Sequence, residues 1–215
     1  MFLVYPGILC EIESKLHGMA LALFETGRVY HVYNRSNGWE LMFTNEDNYE
    51  FFLEKFSKYM IPVIQPICYC LMPNHFHFLI RVREMQEIEA MLDDKLAENQ
   101  LNDEVVRRFS NFFNSYSRAY NRQQGRKGSL FMQSFKRKPV GDEKYLLKLI
   151  HYIHTNPVSA GLCQFPEEWS NSSYRHLVFP GRNQIIELDS SLVIGLYGGL
   201  HNFIHMHNQE MNFEI

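Results

Sequence analysis

The chain has 215 residues, of which 46% are hydrophobic and 14% aromatic, and its formal net charge is −3 at pH 7. These values fit one domain with short additions and a real core, and no window reaches the roughly 18 apolar residues of a membrane span. The net charge alone argues against a nucleic-acid partner, but the distribution of charge along the chain argues for one.

The first part of the chain predicts an extension, a strand, a helix and a hairpin. Residues 1–27 are expected to be an N-terminal extension, and its apolar start lacks the basic residues of a signal peptide. Alternating Val and Tyr in 28–36 predict a strand. Aromatic residues at helical spacing in 45–60 predict a helix. The segments 63–72 and 75–82 predict two strands of a hairpin.

Two histidines interrupt the apolar run LMPNHFHFLIRV in this hairpin. Residues two apart in a strand point to the same face, so His75 and His77 share one face while Phe76 and Phe78 share the other. Paired imidazoles are well suited to hold a metal ion. Incidental histidines on a half-exposed strand are the alternative.

The cysteines do not predict a zinc site or a disulfide framework. Cys68 and Cys70 share one face of the same predicted strand, a spacing that suits neither. We interpret these two, with Cys10 and Cys163, as small and mostly buried hydrophobic residues in a reducing compartment. This predicts a cytoplasmic protein.

Basic residues are concentrated in one segment. Between Val105 and Gly141 there is no Asp or Glu, and after Arg182 there is no Lys or Arg. Such asymmetry is typical of a surface that binds a polyanion, with an ordinary solvated helix face as the alternative. The candidate binding residues in and beside the segment are Arg107, Arg108, Arg118, Arg122, Arg126, Lys127, Lys136, Arg137, Lys138 and Lys148.

The second half of the chain predicts further helices and a fourth strand. A charged helical stretch covers 84–100. The aromatic residues that follow recur at three and four residues, which indicates a core face; they are Phe109, Phe112, Phe113, Tyr116 and Tyr120. The segment 130–140 predicts a strand with Lys136 and Lys138 on one face. The segment 141–157 predicts a helix that is capped by Asp142 and ended by Pro157.

This order of elements matches the split β-α-β arrangement of ferredoxin-like domains. The expected fold is therefore α+β, with an antiparallel sheet, helices on one face, and the other face open for a ligand or a dimer contact. The helix 141–157 and a tail at 180–215 follow this unit.

The last predicted helix carries a second polar set. Tyr152 and Asn156 share one helical face, and Lys148 lies one turn earlier on that face. Two histidines and an amide oxygen would give a divalent ion three ligands and leave open positions for phosphate oxygens. A phenol has a pKa of about 10, so a phosphotyrosine ester stays reactive and its formation is reversible. A helix cap at Asn156 and a core role for Tyr152 are the alternatives.

Five ordered stretches resemble the single-tyrosine HUH transposases, and within them the REP-associated tyrosine transposase group. They run from about Val29 to Tyr174 and read YHVYNRSN, YCLMPNHFHFLIRV, GSLFMQSFKRKPV, YLLKLIHYIHTNPVSAGL and WSNSSYRHL. The resemblance implies that His75 and His77 bind Mg²⁺ or Mn²⁺ and that Tyr152 is the nucleophile. It implies that Asn156 completes the metal site, where many relatives have Gln.

The resemblance also implies an activity and a partner. The activity would be metal-dependent cleavage and strand transfer of single-stranded, hairpin-containing DNA through a 5′-phosphotyrosine intermediate. The catalytic domain would span 28–179, and the protein would be associated with the nucleoid when bound to DNA. Relatives include homodimers and monomers, and no membrane partner is implied.

Several alternatives stay open at this point. The chain could be a domesticated, non-catalytic protein that binds DNA hairpins, a phosphodiesterase that uses water, or an RNA-binding module on the same fold. Tyr116, Tyr120 and Tyr145 are rival candidates for the nucleophile, and Tyr120 is the second choice. His201, His205 and His207 imitate a metal cluster, but their spacing fits no site, and we interpret them as structural.

Overall fold

The computed structural model describes residues 22–38, 40–181 and 184–209. The strands are β1 (Val29–Arg35), β2 (Ile64–Met72), β3 (His75–Val82) and β4 (Lys136–Pro139). The helices are α1 (Glu46–Met60), α2 (Met85–Leu92), α3 (Leu101–Gln123), α4 (Glu143–Ser159), α5 (Tyr174–Val178), α6 (Ser190–Leu196) and α7 (Leu200–His207). Short 3₁₀ turns lie at Glu98–Gln100 and Pro166–Glu168.

The four strands form one sheet in the order β2-β3-β1-β4, and every neighbouring pair is antiparallel. This is the order that a split β-α-β unit produces, because the two central strands come from its two halves. The predicted α+β fold with an antiparallel sheet is confirmed.

An aromatic core fills the space between the sheet and the helices α1 and α3. Phe56 of α1 stacks on Phe78 of β3 with ring centroids 4.0 Å apart, and Phe52 meets Phe112 of α3 edge to face at 4.8 Å. Offset and edge contacts of this kind add to the stabilisation from burial alone. The aromatic stripe of α3 is therefore core, as predicted.

Two element boundaries differ from the predictions at residues with a positive φ. The charged stretch 84–100 is helical only to Leu92, where Asp93 adopts a left-handed conformation with φ 52°. The predicted fourth strand is reduced to Lys136–Pro139, which begins just after Ser134, whose φ is 64°. A positive φ does not fit a regular helix or strand, so each residue limits its element.

Helix α4 continues through Pro157, which was expected to end it. Pro157 lies in the last turn, where it removes one backbone donor and the chain continues to Ser159. The end is set by Gly161, with φ 68°, whose N–H donates to the carbonyl of Val158 at 2.9 Å. The N–H of Leu162 donates to the carbonyl of Pro157 at 2.9 Å, which completes a Schellman motif.

The second face of the sheet is covered, where an open face was expected. Helix α4 lies across it, and the ring of Tyr152 meets that of His77 with centroids 5.5 Å apart. Helices α6 and α7 of the tail pack on α4 in turn: Tyr197 donates to the carbonyl of Leu147 at 3.1 Å, and Phe203 is fully buried. The described part of the tail thus belongs to the folded body.

The described end of the predicted extension is also integrated. Phe24 is 3% exposed and stacks near Phe109 of α3, with centroids 5.9 Å apart. Residues 1–21, including Cys10, lie outside the described residues. Cys68 and Cys70 are buried free thiols, as predicted, and Cys163 is a partly exposed one. Among the helices described, none is long and apolar enough to cross a membrane.

Candidate active site

The register of β1 and β3 gathers polar side chains on the face that α4 covers. His77 lies opposite Tyr33, and His75 lies opposite Arg35. Phe76 and Phe78 point into the aromatic core on the other face, as the spacing predicted. A strand with phenylalanines on one side and histidines on the other therefore places the histidines beneath α4.

His75 has one nitrogen engaged and one orphaned. Its Nδ1 lies 2.8 Å from Oδ1 of Asn74, in the turn that joins β2 to β3. Its Nε2 is buried and has no hydrogen-bond partner within the described part of the chain. Burial lowers the pKa of His75 to about 4, and the neighbouring Asn156 amide offsets part of this effect.

His77 is held between two polar groups. Its Nδ1 lies 2.9 Å from Nε2 of His31 on β1, and its Nε2 lies 3.4 Å from the side-chain nitrogen of Asn156 on α4. Burial lowers the pKa of His77 well below its usual value, and the neighbouring histidines add to this shift. The ring is therefore neutral at pH 7.

Tyr152 stands over these rings from α4. Its ring meets the rings of His77 and His31 edge to face, with centroids 5.5 and 6.5 Å away. Burial raises the pKa of Tyr152 to about 12, and a hydrogen bond with Asn156 opposes the rise. The phenol is therefore protonated at neutral pH, and its ionisation needs a positive charge or a proton acceptor close by.

The rival tyrosines lie elsewhere. Tyr116 and Tyr120 belong to α3, on the opposite face of the sheet, and the hydroxyl of Tyr120 donates to the carbonyl of Leu41 at 2.6 Å. Tyr145 lies at the start of α4, near Lys138, whose Nζ is 6.0 Å from its ring centroid. Of the four candidates, Tyr152 is the one whose ring contacts the His77 ring.

The donor set fits a divalent ion. The Nε2 of His75 is an orphaned buried acceptor, the Nε2 of His77 faces the same amide of Asn156, and both Nδ1 atoms have partners behind them. Metal-binding histidines are commonly fixed in this way by a group on the second nitrogen. Within the described ranges, no cluster of three or more His, Cys, Asp or Glu side chains suits a metal. The third donor would be the side-chain oxygen of Asn156, a residue type outside those four. The Asn156 nitrogen faces His77 here, and the oxygen would take its place when an ion is bound.

A shallow pocket of about 70 Å³ opens beside the histidines. The end of β1, the two histidines and the segment before β4 line it, and its cationic side chains are Arg35 and Lys136. The segment is fixed to β1, since the N–H of Met132 donates to the carbonyl of Arg35 at 2.9 Å. A phosphate group entering here would meet two positive charges next to the histidines.

The predicted DNA-binding residues fall into three groups. Lys136 and Lys138 lie opposite Tyr33 and His31 in the register, on the face of the site, and Lys148 is on α4. The exposed Arg118 and Arg122 are on α3, and Lys127 is in the loop after it. The remaining four have structural contacts: Arg107 and Arg108 pair with Glu104, Arg126 pairs with Glu40, and Arg137 lies over the ring of Phe24.

Sequence reasoning did not identify His31, Tyr33 and Arg35. All three lie at alternate positions of β1, within the stretch YHVYNR. Nothing in that pattern indicates which strand β1 pairs with, or in which register. The β1–β3 register brings them to the histidines, so the signal is a long-range pairing and not a local spacing.

The tail histidines do not form a site together. His207 is buried, with Nε2 3.1 Å from Nδ1 of His154 and Nδ1 2.8 Å from the carbonyl of Phe203. His201 and His205 are exposed on α7. His207 therefore packs in the core of the described tail, while His201 and His205 lie on its surface.

Comparisons with known proteins agree with the sequence motifs. No family model matches the chain. A curated Haemophilus influenzae protein named as a REP-associated tyrosine transposase is 24% identical over 110 residues, which are 51% of this chain and 58% of that relative. A solved REP-associated tyrosine transposase bound to a REP hairpin matches with a TM-score of 0.53 and 14% identity, over 80% of this chain and 91% of that one. The fold is thereby confirmed, and both comparisons return the group that the motifs resemble.

Proposed function

We propose that this protein is a metal-dependent endonuclease and strand transferase of single-stranded, hairpin-containing DNA, and that it works through a 5′-phosphotyrosine intermediate. The observation that carries the proposal is that four side chains from β3 and α4 lie in contact with one another: His75, His77, Tyr152 and Asn156. A DNA-binding protein without catalysis would not need this combination. The relatives described above support the choice of DNA as the substrate.

The ion would be held by His75, His77 and Asn156. When bound, Mg²⁺ or Mn²⁺ would neutralise phosphate charge and orient the phosphorus for in-line attack. Imidazoles also accept Zn²⁺, so a metal found after purification need not be the working ion.

Tyr152 would be the nucleophile. Its phenolic oxygen would lose its proton and form a bond to phosphorus while the bond between phosphorus and the 3′ oxygen breaks. That 3′ oxygen would take up a proton and leave as a 3′ hydroxyl, so one proton is released and one is taken up. The 5′ phosphate stays on Tyr152. Attack by a 3′ hydroxyl reverses these bond changes and joins strands without another energy source, which makes transfer possible.

The chain's own cations would position the DNA backbone. Arg35 and Lys136 line the pocket next to the histidines. Lys138 lies two residues further along β4, on the same face. Contacts from such side chains to phosphates fix the position of the DNA without reading its sequence.

Covalent trapping tests this proposal. Labelled single-stranded hairpin oligonucleotides are incubated with the protein and either Mn²⁺ or a chelator, and the products are separated on a denaturing gel. We expect a labelled protein band that requires metal and is lost in Tyr152→Phe. Tyr120→Phe is the matched control, because this buried tyrosine lies on the other face of the sheet and should keep the band.

Each other result identifies a different function. Tight hairpin binding without a covalent band would favour a non-catalytic binding protein. Cleavage without the band, retained in Tyr152→Phe, would indicate a phosphodiesterase that uses water. Loss of the band only in Tyr120→Phe would move the nucleophile to α3 and overturn the geometry argued above.

A further inference from the structure

A third histidine lies directly behind the candidate metal ligands. His31 of β1 is 6% exposed, and its Nε2 lies 2.9 Å from Nδ1 of His77. Tyr33 stacks on the His31 ring with centroids 4.8 Å apart, and Tyr152 approaches it edge-on. The ring is therefore enclosed and has a defined orientation.

The hydrogen-bond partners determine where the ring hydrogens are. A bond between two neutral imidazoles needs one N–H donor and one lone-pair acceptor. Because Nε2 of His77 faces the amide nitrogen of Asn156, which donates, this Nε2 carries the lone pair. The hydrogen of His77 is then on Nδ1 and is donated to Nε2 of His31, which must be an acceptor.

His75 has the same arrangement with a different partner. Its Nδ1 donates to Oδ1 of Asn74 at 2.8 Å, and Oδ1 is an atom that only accepts. Its Nε2 is thus a buried lone pair. Both rings lie next to the Asn156 side chain, and each keeps its lone pair on Nε2 because an acceptor holds its Nδ1 hydrogen.

We propose that His31 is a positioning residue that holds His77 in its Nδ1–H tautomer and directs the Nε2 lone pair of His77 to the metal. The inference rests on the proposed function in one respect, namely that an ion is bound at this position. Partners behind metal ligands typically contribute about 10–100-fold in metal affinity. We expect His31 to contribute in this range without contacting the ion or the DNA.

Two substitutions separate the hydrogen bond from the packing. His31→Gln can place an amide oxygen near the position of Nε2 and so keeps an acceptor, whereas His31→Leu fills the space without one. Long-range ¹H–¹⁵N spectra of the metal-free proteins report the His77 tautomer. The EPR signal of free Mn²⁺ reports the dissociation constant, and thermal melts by circular dichroism check folding.

We expect wild type and His31→Gln to show the Nδ1–H tautomer of His77 and similar Mn²⁺ affinity. In His31→Leu, the Nδ1–H signature should be lost or mixed, and the affinity should fall by about 10–100-fold.

Two results overturn the proposal. One is a His31→Leu protein with unchanged tautomer and affinity. The other is a His31→Gln protein as weak as His31→Leu, which would assign the effect to ring packing. If wild type binds no Mn²⁺, the metal of the proposed function is wrong, and the tautomer spectra still decide whether His31 orients His77.

Discussion

His75 and His77 each have Nδ1 hydrogen-bonded inside the protein, and both rings lie next to the Asn156 side chain. We predict that His75→Ala and His77→Ala each reduce the covalent DNA adduct by at least about 100-fold, because each removes a ligand and not only a partner behind one. Hairpin affinity should change little, since neither ring supplies positive charge at neutral pH. Adduct yield on a denaturing gel and the DNA dissociation constant check both parts.

His205→Ala is the matched control for these substitutions. His205 is exposed on α7, away from the pocket, so its loss should leave adduct yield and affinity unchanged. Normal cleavage by the His75 or His77 variant would contradict the metal site.

At the residue scale, sequence spacing was enough for part of the site. The alternation in β3 placed His75 and His77 on one face, and the helical repeat placed Tyr152 with Asn156. Spacing along the chain could not identify His31 or Arg35 as site residues. Which side chains lie next to them depends on how β1 pairs with β3, and that pairing cannot be derived from local spacing.

At the scale of elements, β4 carries a pair of lysines on the face of the site. We predict that the double variant Lys136→Ala, Lys138→Ala binds hairpin DNA more weakly and with a flatter salt dependence. Each lost phosphate contact should lower the slope of log K against log salt by about 0.7–0.9. The measurement is a fluorescence anisotropy titration at several salt concentrations.

Arg107→Ala is the control for this pair. Its guanidinium is bound to Glu104 at 2.6 Å on α3, so its removal should leave the slope unchanged. An equal loss in both variants would mean that DNA is attracted by total charge and not by the surface around β4.

The elements themselves were predicted well where the pattern is local and repeated. The three long strands and the helices α1, α3 and α4 follow from alternation, aromatic spacing and caps such as Asp142, whose side chain accepts from the N–H of Tyr145. The predicted end of α4 at Pro157 was wrong. The helix accommodates Pro157 in its last turn, and Gly161 supplies the conformation that ends it. Where the helix ends depends on the hydrogen bonds of the whole last turn and not on the proline alone.

At the scale of the whole molecule, the tail stabilises the helix that carries Tyr152. Phe203 of α7 is fully buried, and its ring meets that of His154 on α4 edge to face with centroids 5.8 Å apart. We predict that Phe203→Ala lowers the free energy of unfolding by about 3–5 kcal/mol, as a cavity in a packed core does. Urea unfolding measures this.

Met206→Ala on the same helix serves as the comparison, since Met206 is 37% exposed. It should change the free energy of unfolding by no more than about 0.5 kcal/mol. Equal effects of the two changes would show that α7 contributes little to the stability of the body.

The buried His207 of α7 predicts that the stability of the protein depends on pH. Burial lowers the pKa of His207 to about 3, and the ring is packed among His151, His154, Tyr174 and Tyr197. The unfolded chain takes up this proton near pH 6.5 and the folded protein does not, so the stabilisation is complete above pH 6.5 and declines as the pH falls toward 3.

We expect His207 to lower the free energy of unfolding by up to about 1.4 kcal/mol for each unit by which the pH falls within this window. Urea midpoints at pH 7.5 and 5.5 measure the total loss. His207→Gln, which has no proton to gain, should show a smaller difference between the two midpoints. An unchanged difference would assign the acid sensitivity to other buried histidines.

The two edges of the sheet have a consequence for how copies of this protein meet. Along β2, later segments occupy the outer backbone groups: Leu71 donates to the carbonyl of Asn171 at 2.8 Å, and Asp189 donates to that of Pro66 at 3.1 Å. The other edge, β4, is four residues long and carries two lysines. Covered, short or charged edges resist the addition of a foreign strand. We therefore expect many copies crowded onto neighbouring DNA hairpins to remain separate bodies, without fusing their sheets into a fibre.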